Sequence, residues 1–317
     1  MRGAGTRRGP KAPAASRSNA AASVASLARS ALAPLGLIPA LLAVAVATAP
    51  AAARTIDVHP RGSASHPLQR AINRASPGDR IRVHHGRYRE SVVVPKRLEI
   101  FAARDERRPV IDARCRASVV IDVEANRVSL DGLEVIGSAD AFTVNFVNIG
   151  SGRVNDLRLA NTCGEALYGV NVYGKGAIRI TNNHARGYRD AGYYVGSIGS
   201  TGQGSLLIRG NTASGNNRGV IVEDSAGVDI RVVDNVLNRN GIGGEGIPSG
   251  IFVHNSDGML FTGNRADDNG VYGIHVDATS DGNVLRGNRA AGNGTADFFD
   301  EGAGTCGSGN SFPLPAC

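Results

Sequence analysis

Glu223, His254, Asp277 and Asp300 close successive copies of one five-residue phrase, and His275 lies two residues ahead of Asp277. An imidazole flanked by carboxylates can act as a general acid or base, because those neighbours stabilise its protonated form and move its pKa toward working pH. His254, His275, Asp277 and Glu223 are therefore the candidate catalytic residues. Carboxylates two copies apart, such as Glu223 and Asp277, would lie near the roughly 6.5 to 9.5 Å separation of an inverting glycosidase. The adjacent pair Asp277 and Asp300 would be closer and suits a Ca²⁺ ion that neutralises a uronate carboxyl group. Tyr173, Tyr194 and Phe252 offer flat faces for sugar rings, with the amide of Asn171 beside them. Polar outward positions also follow from solubility alone, so the cluster carries the reading and no single residue does.

The elements that would hold these groups are short strands in a repeat. Gly210-Asn211 with Asn216, Asp234-Asn235 with Asn240, Gly263-Asn264 with Asn269 and Gly287-Asn288 with Asn293 all read Asn, four residues, Asn. After them come Gly219-Val220-Ile221-Val222-Glu223, Gly250-Ile251-Phe252-Val253-His254, Gly273-Ile274-His275-Val276-Asp277 and Ala296 to Asp300, with earlier versions at Gly169 to Tyr173 and Gly192 to Gly196. A self-similarity of this period signals a solenoid whose single repeats cannot bury their own apolar faces, and alternating strands with no helical period make the unit an all-β coil. Alternation turns Ile and Val inward and leaves two outward columns. The first is Asn171, Tyr194, Ile221, Phe252, His275, Phe298; the second is Tyr173, Gly196, Glu223, His254, Asp277, Asp300. The asparagines suit turns, where Asn tolerates a left-handed backbone and its amide can bond the equivalent Asn one coil away. Two insertions, Gly241 to Ser249 and Ser197 to Gln203, could wall a cleft over the same columns.

On the Gly-Asn repeats, the Gly-Ile-x-Val strands and the opening segment, the chain resembles the right-handed parallel β-helix superfamily, the pectate-lyase-like proteins and the periplasmic and secreted β-helix repeat proteins. The resemblance covers about residues 55 to 304. It implies an all-β, right-handed parallel β-helix with a short N-terminal capping helix, here Pro67 to Ala75 with Ser65 or His66 near its N-cap. Residues 54–97 then form the N-terminal cap and first strands, 98–304 the repeats and 305–317 a tail closing the other end. The catalytic signatures of polygalacturonases, mannuronan epimerases and pectate lyases do not occur; Tyr272-Gly273-Ile274-His275-Val276-Asp277 overlaps the epimerase string only in Tyr-Gly. Some periplasmic relatives deliver copper, but Met1 and Met259 are the only methionines that could supply soft thioether donors.

Six of the 35 basic residues and none of the 28 acidic ones precede residue 54, so the remaining chain carries 29 bases against 28 acids. That near-neutrality removes the electrostatic case for nucleic acid. A basic start, the apolar run Leu35 to Ala49 and Ala51-Ala52-Ala53 read as a secretory signal over 1–53, and Pro39 and Pro50 break the run short of a spanning helix. Export permits disulfides. Cys306 and Cys317 enclose a bendable Gly/Pro tail and are expected to pair. Cys115 and Cys163 stand two coils apart, about 9.6 Å at strand spacing, beyond the roughly 7 Å limit for a bridge unless the backbone is irregular there. Their pairing stays open. His59, His66, His84, His85 and His184 belong to no evident constellation and are expected to be solvated.

The expected function is a secreted or periplasmic monomer, free of the membrane after signal removal, that acts on a polysaccharide or cell-surface glycan by lyase, hydrolase or epimerase chemistry. The alternatives are a non-catalytic carbohydrate-binding module and a structural solenoid.

Overall fold

The computed structural model describes residues 52–60, 65–199 and 205–317. The expected signal over 1–53 falls almost wholly outside the described residues, as does most of the Ser197 to Gln203 insertion.

Each coil contributes to three parallel ribbons. The first is an eleven-stranded sheet running from Thr55–Val58 to Cys306–Ser308, with members such as Ala177–Thr181, Asp229–Val233 and Leu260–Thr262. The second holds the short strands Arg158–Ala160, His184–Arg186, Thr212–Ser214, Val236–Leu237, Arg265–Asp267 and Arg289–Ala291. The third holds the phrase strands Tyr168–Tyr173, Ala191–Gly196, Arg218–Glu223, Ser249–His254, Tyr272–Val276 and Ala296–Asp300. The second and third join into one sheet through the long strands Val110–Val123 and Glu134–Val147. This is the parallel β-helix that the repeat requires, and Val220, Val222, Ile251, Val253, Ile274 and Val276 fill its interior with no exposed surface.

The glycine that opens each phrase strand answers to space. A Cβ on Gly219 would sit 2.5 Å from the carbonyl oxygen of Gly250 on the next coil. Asparagines form two buried ladders. In one, the side-chain amide of Asn183 donates to Asn211 Oδ1 at 2.9 Å, and Asn211, Asn235, Asn264 and Asn288 repeat the bond, ending on Asn310. In the other, Asn216 donates to Asn240, Asn240 to Asn269 and Asn269 to Asn293 at 3.0–3.1 Å. The left-handed residue at the first turn is the one before the ladder Asn, including Gly210 and Asp234. The expected αL role therefore belongs to that neighbour, and the Asn itself supplies hydrogen bonds.

Both ends are closed. The helix Pro67–Arg74 buries Leu68, Ala71 and Ile72 against the first coil. No side chain of its own N-cap caps it; the Leu68 and Gln69 amides donate to the buried Glu90 carboxylate at 3.0 and 2.9 Å instead. At the other end Cys306 is bonded to Cys317, and Phe312 of the tail stacks on Phe298 at 4.6 Å. Cys115 and Cys163 are also bonded, with Cα atoms 5.7 Å apart. The expected rung distance fails because Val110–Val123 is bulged there. Its register shifts between Asp112 and Val119, and Arg114 and Cys115 both have φ near +57°. Among the described residues no helix is long and apolar enough to cross a membrane.

Candidate functional site

Parallel pairing sets Glu223 beside His254, and Asp277 follows one coil on, its amide donating to the Val253 carbonyl at 3.1 Å. His254 Nδ1 is hydrogen-bonded to Asp277 Oδ2. The other oxygen, Oδ1, accepts the Thr279 amide at 3.0 Å, the Thr279 hydroxyl at 2.7 Å and the Ser280 hydroxyl at 3.0 Å. The carboxylate is thus fixed on both sides, and the His254 side chain remains 39% exposed with Nε2 unengaged among the described residues. Glu223 Oε2 accepts the Tyr194 hydroxyl at 2.7 Å.

These contacts separate the two partners electrostatically. Burial works against ionisation of Asp277, but the donors from His254, Thr279 and Ser280 outweigh it and hold the carboxyl at about 2. The hydrogen bond that His254 donates to Asp277 raises the His254 pKa above its ordinary 6.5 against an opposing effect of burial, and the Asp277, Glu223 and Asp224 charges add to it. Burial and the Glu223 carboxylate push the Tyr194 phenol up, so it stays a donor.

The last coil differs from the expected columns. Tyr272 pairs with Ala296 and His275 with Phe299, so Asp297 occupies the glycine position and every later residue moves by one. Phe299, 36% exposed, continues the first column in place of Phe298, which turns to the tail. Asp300 pairs with Val276, and its Oδ1 accepts the Gly302 amide at 3.1 Å within a turn. It is not the neighbour of Asp277, so the expected Asp277 and Asp300 pair for Ca²⁺ does not form. No group of three His, Cys, Asp or Glu able to hold a metal ion occurs among the described residues.

Other site candidates are distributed unevenly. His275 is buried beneath Phe252, Tyr272 and Phe299, with ring centroids 4.7–5.4 Å away; Nε2 reaches Glu301 at 3.1 Å and Nδ1 has no partner. Asn171 is 3% exposed and donates to Asn145 Oδ1 at 2.7 Å, which leaves it no open face. Tyr194 is buried and stacks on Tyr168 at 4.4 Å. Phe252 is half-buried beneath the Arg218 guanidinium, 4.8 Å from its ring centre. Tyr173, 44% exposed, lies in register with exposed Val147 at the apolar end of the second column.

Two groups escape a reading of the columns alone. Arg218, immediately before Gly219, forms a buried ion pair with Asp190, whose Oδ2 also accepts the Tyr168 hydroxyl at 2.9 Å. The Gly241 to Ser249 insertion folds over it: Arg218 Nε donates to the Ile247 carbonyl at 2.9 Å and the Glu245 amide donates to the Arg189 carbonyl at 3.2 Å. The usable signal was the position before the glycine, where Tyr168, Arg218 and Tyr272 recur. Near the cap, His84 bridges Asp57 at 2.8 Å and Glu106 at 2.7 Å and stacks on His59 at 4.0 Å, in place of the solvated ring expected from sequence.

The family model described as periplasmic copper-binding protein (NosD) matches residues 119–312. Among solved structures, the chain is similar to pectate lyase Pel9A at 16% identity and a TM-score of 0.58, over 83% of this chain and 81% of that one. It is also similar to the GH136 lacto-N-biosidase of Eubacterium ramulus at 10% identity and a TM-score of 0.50, over 82% of this chain and 68% of that one. At these identities the likeness extends to the fold. No curated protein matches the chain. Copper, named in the family description, finds no thiolate or thioether donor among the described residues, because all four cysteines are oxidised in disulfides and Met259 has no exposed surface; nor do those residues gather three His, Cys, Asp or Glu side chains for a metal ion.

Proposed function

The chain belongs to the NosD family, and on that premise we propose that it is an exported β-helix protein acting on an acidic polysaccharide, with His254 as the proton-transfer group. The observation that carries the reading is the His254–Asp277 dyad. An ionised carboxylate fixes Nδ1–H, so the free electron pair of the neutral ring lies on exposed Nε2. Asp277, held at about 2, stays ionised and cannot serve as the protonated carboxylic acid of a hydrolase. This favours proton abstraction next to a uronate carboxyl group, the step shared by lyases and epimerases. In that step Nε2 takes the carbon-bound proton. The carbanion left behind then has two fates: in a lyase it forms the C4–C5 double bond as the 4-linked oxygen departs and takes a proton from solvent, and in an epimerase it regains a proton on the other face. Tyr173 and Phe299 lie on the dyad's ribbon and offer ring faces to a sugar chain. Export is supported by the periplasmic family description, by two disulfides and by the composition of 1–53.

The test is incubation with polygalacturonate and alginate. A lyase reads out as absorbance of an unsaturated product, an epimerase as deuterium incorporated from solvent. His254→Ala should abolish either signal while oligosaccharide binding persists. Turnover that survives His254→Ala refutes the dyad as the site. Binding without any turnover assigns the protein to the non-catalytic carbohydrate-binding class.

A further inference from the structure

The ribbon of short strands carries a second concavity that the dyad does not use. A trough of about 410 Å³ is lined by Glu134, Arg158, His184, Arg186, Thr212 and Ser214, with Ala160 on the same outward face and Leu159 and Ala185 turned to the core beneath. Its shape follows from the register. Arg158, His184 and Thr212 are aligned on successive coils, and Ala160, Arg186 and Ser214 form the next column. The small side chain of Ala160, in the outward column beside Arg186, keeps the trough open there. Beyond Arg158 and Glu134 the trough continues into a second hollow of about 600 Å³, whose lining mixes Arg104 and Arg107 with the carboxylates of Glu106, Asp131 and Asp156.

Two arginines line the trough, Arg158 and Arg186. Arg104, Arg107, Arg158 and Arg186 form no ion pair among the described residues, although Glu134 stands in register with Arg158.

We propose that this trough is a second carbohydrate site, which holds a stretch of a uronic-acid polymer. Guanidinium forks on adjacent coils match carboxylates bidentately. The Thr212 and Ser214 hydroxyls offer donors and acceptors to sugar hydroxyls, and Ala160 leaves room for a ring beside Arg186. A nucleic acid is the poorer match, because the 410 Å³ trough has no aromatic platform and the chain after residue 53 is near charge balance. Together with the dyad's ribbon the trough would let one polymer engage the protein twice, raising avidity through effective concentration.

Arginine side-chain Nε NMR signals resolve this site from the dyad. Adding an oligogalacturonate should shift the Arg158 and Arg186 signals, and its methyl ester at the same concentration should not. Arg158→Ser with Arg186→Ser should weaken binding measured by calorimetry at least tenfold. Ala160→Leu, which keeps both arginines and fills the space beside Arg186, should do the same. His254→Ala should leave the arginine shifts intact, so a failed dyad and a failed trough give different results. Equal shifts with the ester, no shift with the acid, or shifts only with a polyphosphate or a sulfated glycan would overturn the assignment.

Discussion

Replacing Asp277 by Asn removes one charge while keeping the shape of the side chain. The Thr279 and Ser280 donors can still reach an amide oxygen, but Nδ2 then faces His254 Nδ1, which must give up its proton to accept the contact. The imidazole proton moves to Nε2, the wrong tautomer for a base at the exposed nitrogen. The energetic effect follows from the carboxyl being held at about 2 against an ordinary 3.8, a shift equivalent to about 2 kcal/mol. Since the folded value is the lower one, this stabilisation is present above the ordinary value and fades as pH falls through about 2. Asp277→Asn should therefore be less stable than the parent by about 2 kcal/mol near pH 7, with the gap narrowing below about pH 4. In parallel the His254 ring, titrated by NMR, should lose its upward pKa shift. Urea denaturation at several pH values measures the first and imidazole proton shifts the second. An unchanged His254 titration, or a stability gap that is equal in acid and at neutrality, would refute the reasoning.

Asn264→Ala should cost about 3 kcal/mol, because it orphans the buried Asn235 amide and leaves the Val232 carbonyl without its donor; urea denaturation followed by circular dichroism measures it. His84 can donate to both Asp57 and Glu106 only as the imidazolium, and those bonds raise its pKa above 6.5. Its stabilisation is complete below the ordinary value and is lost as pH rises through the folded one, so the gap between parent and His84→Gln, about 1 kcal/mol in mild acid, should shrink in alkali when melting curves are compared. Cys115→Ser with Cys163→Ser opens a loop of 48 residues and should lower stability by up to about 4 kcal/mol, a loss that reductant should match or exceed in the parent protein because it also opens Cys306–Cys317.

Where the sequence was legible, a period made it so. Two-residue alternation separates Ile251 and Val253 from Phe252 and His254, and the same phrase on the next coils places Glu223 and Asp277 on either side of His254 without any knowledge of contacts. The Asn ladders are legible for the same reason. The reading fails where the period is silent about a choice. In Ala296-Asp297-Phe298-Phe299-Asp300 a small residue invites alignment with Gly273, yet two adjacent phenylalanines satisfy either register, and a shift of one residue exchanges inside for outside. What decides it is remote: Phe312 of the disulfide-closed tail stacks on Phe298, and Asp297 bonds the Asn293 amide at the end of a ladder. The Cys115 bulge, the insertion that covers Arg218 and the His84 bridge between three segments are of the same kind, each created by a contact outside the repeat. The slip at the last coil bears directly on chemistry. Had Asp300 stood beside Asp277, two ionised carboxylates would have competed for one cation; with Asp300 turned into its own loop, Asp277 is free to orient His254 alone.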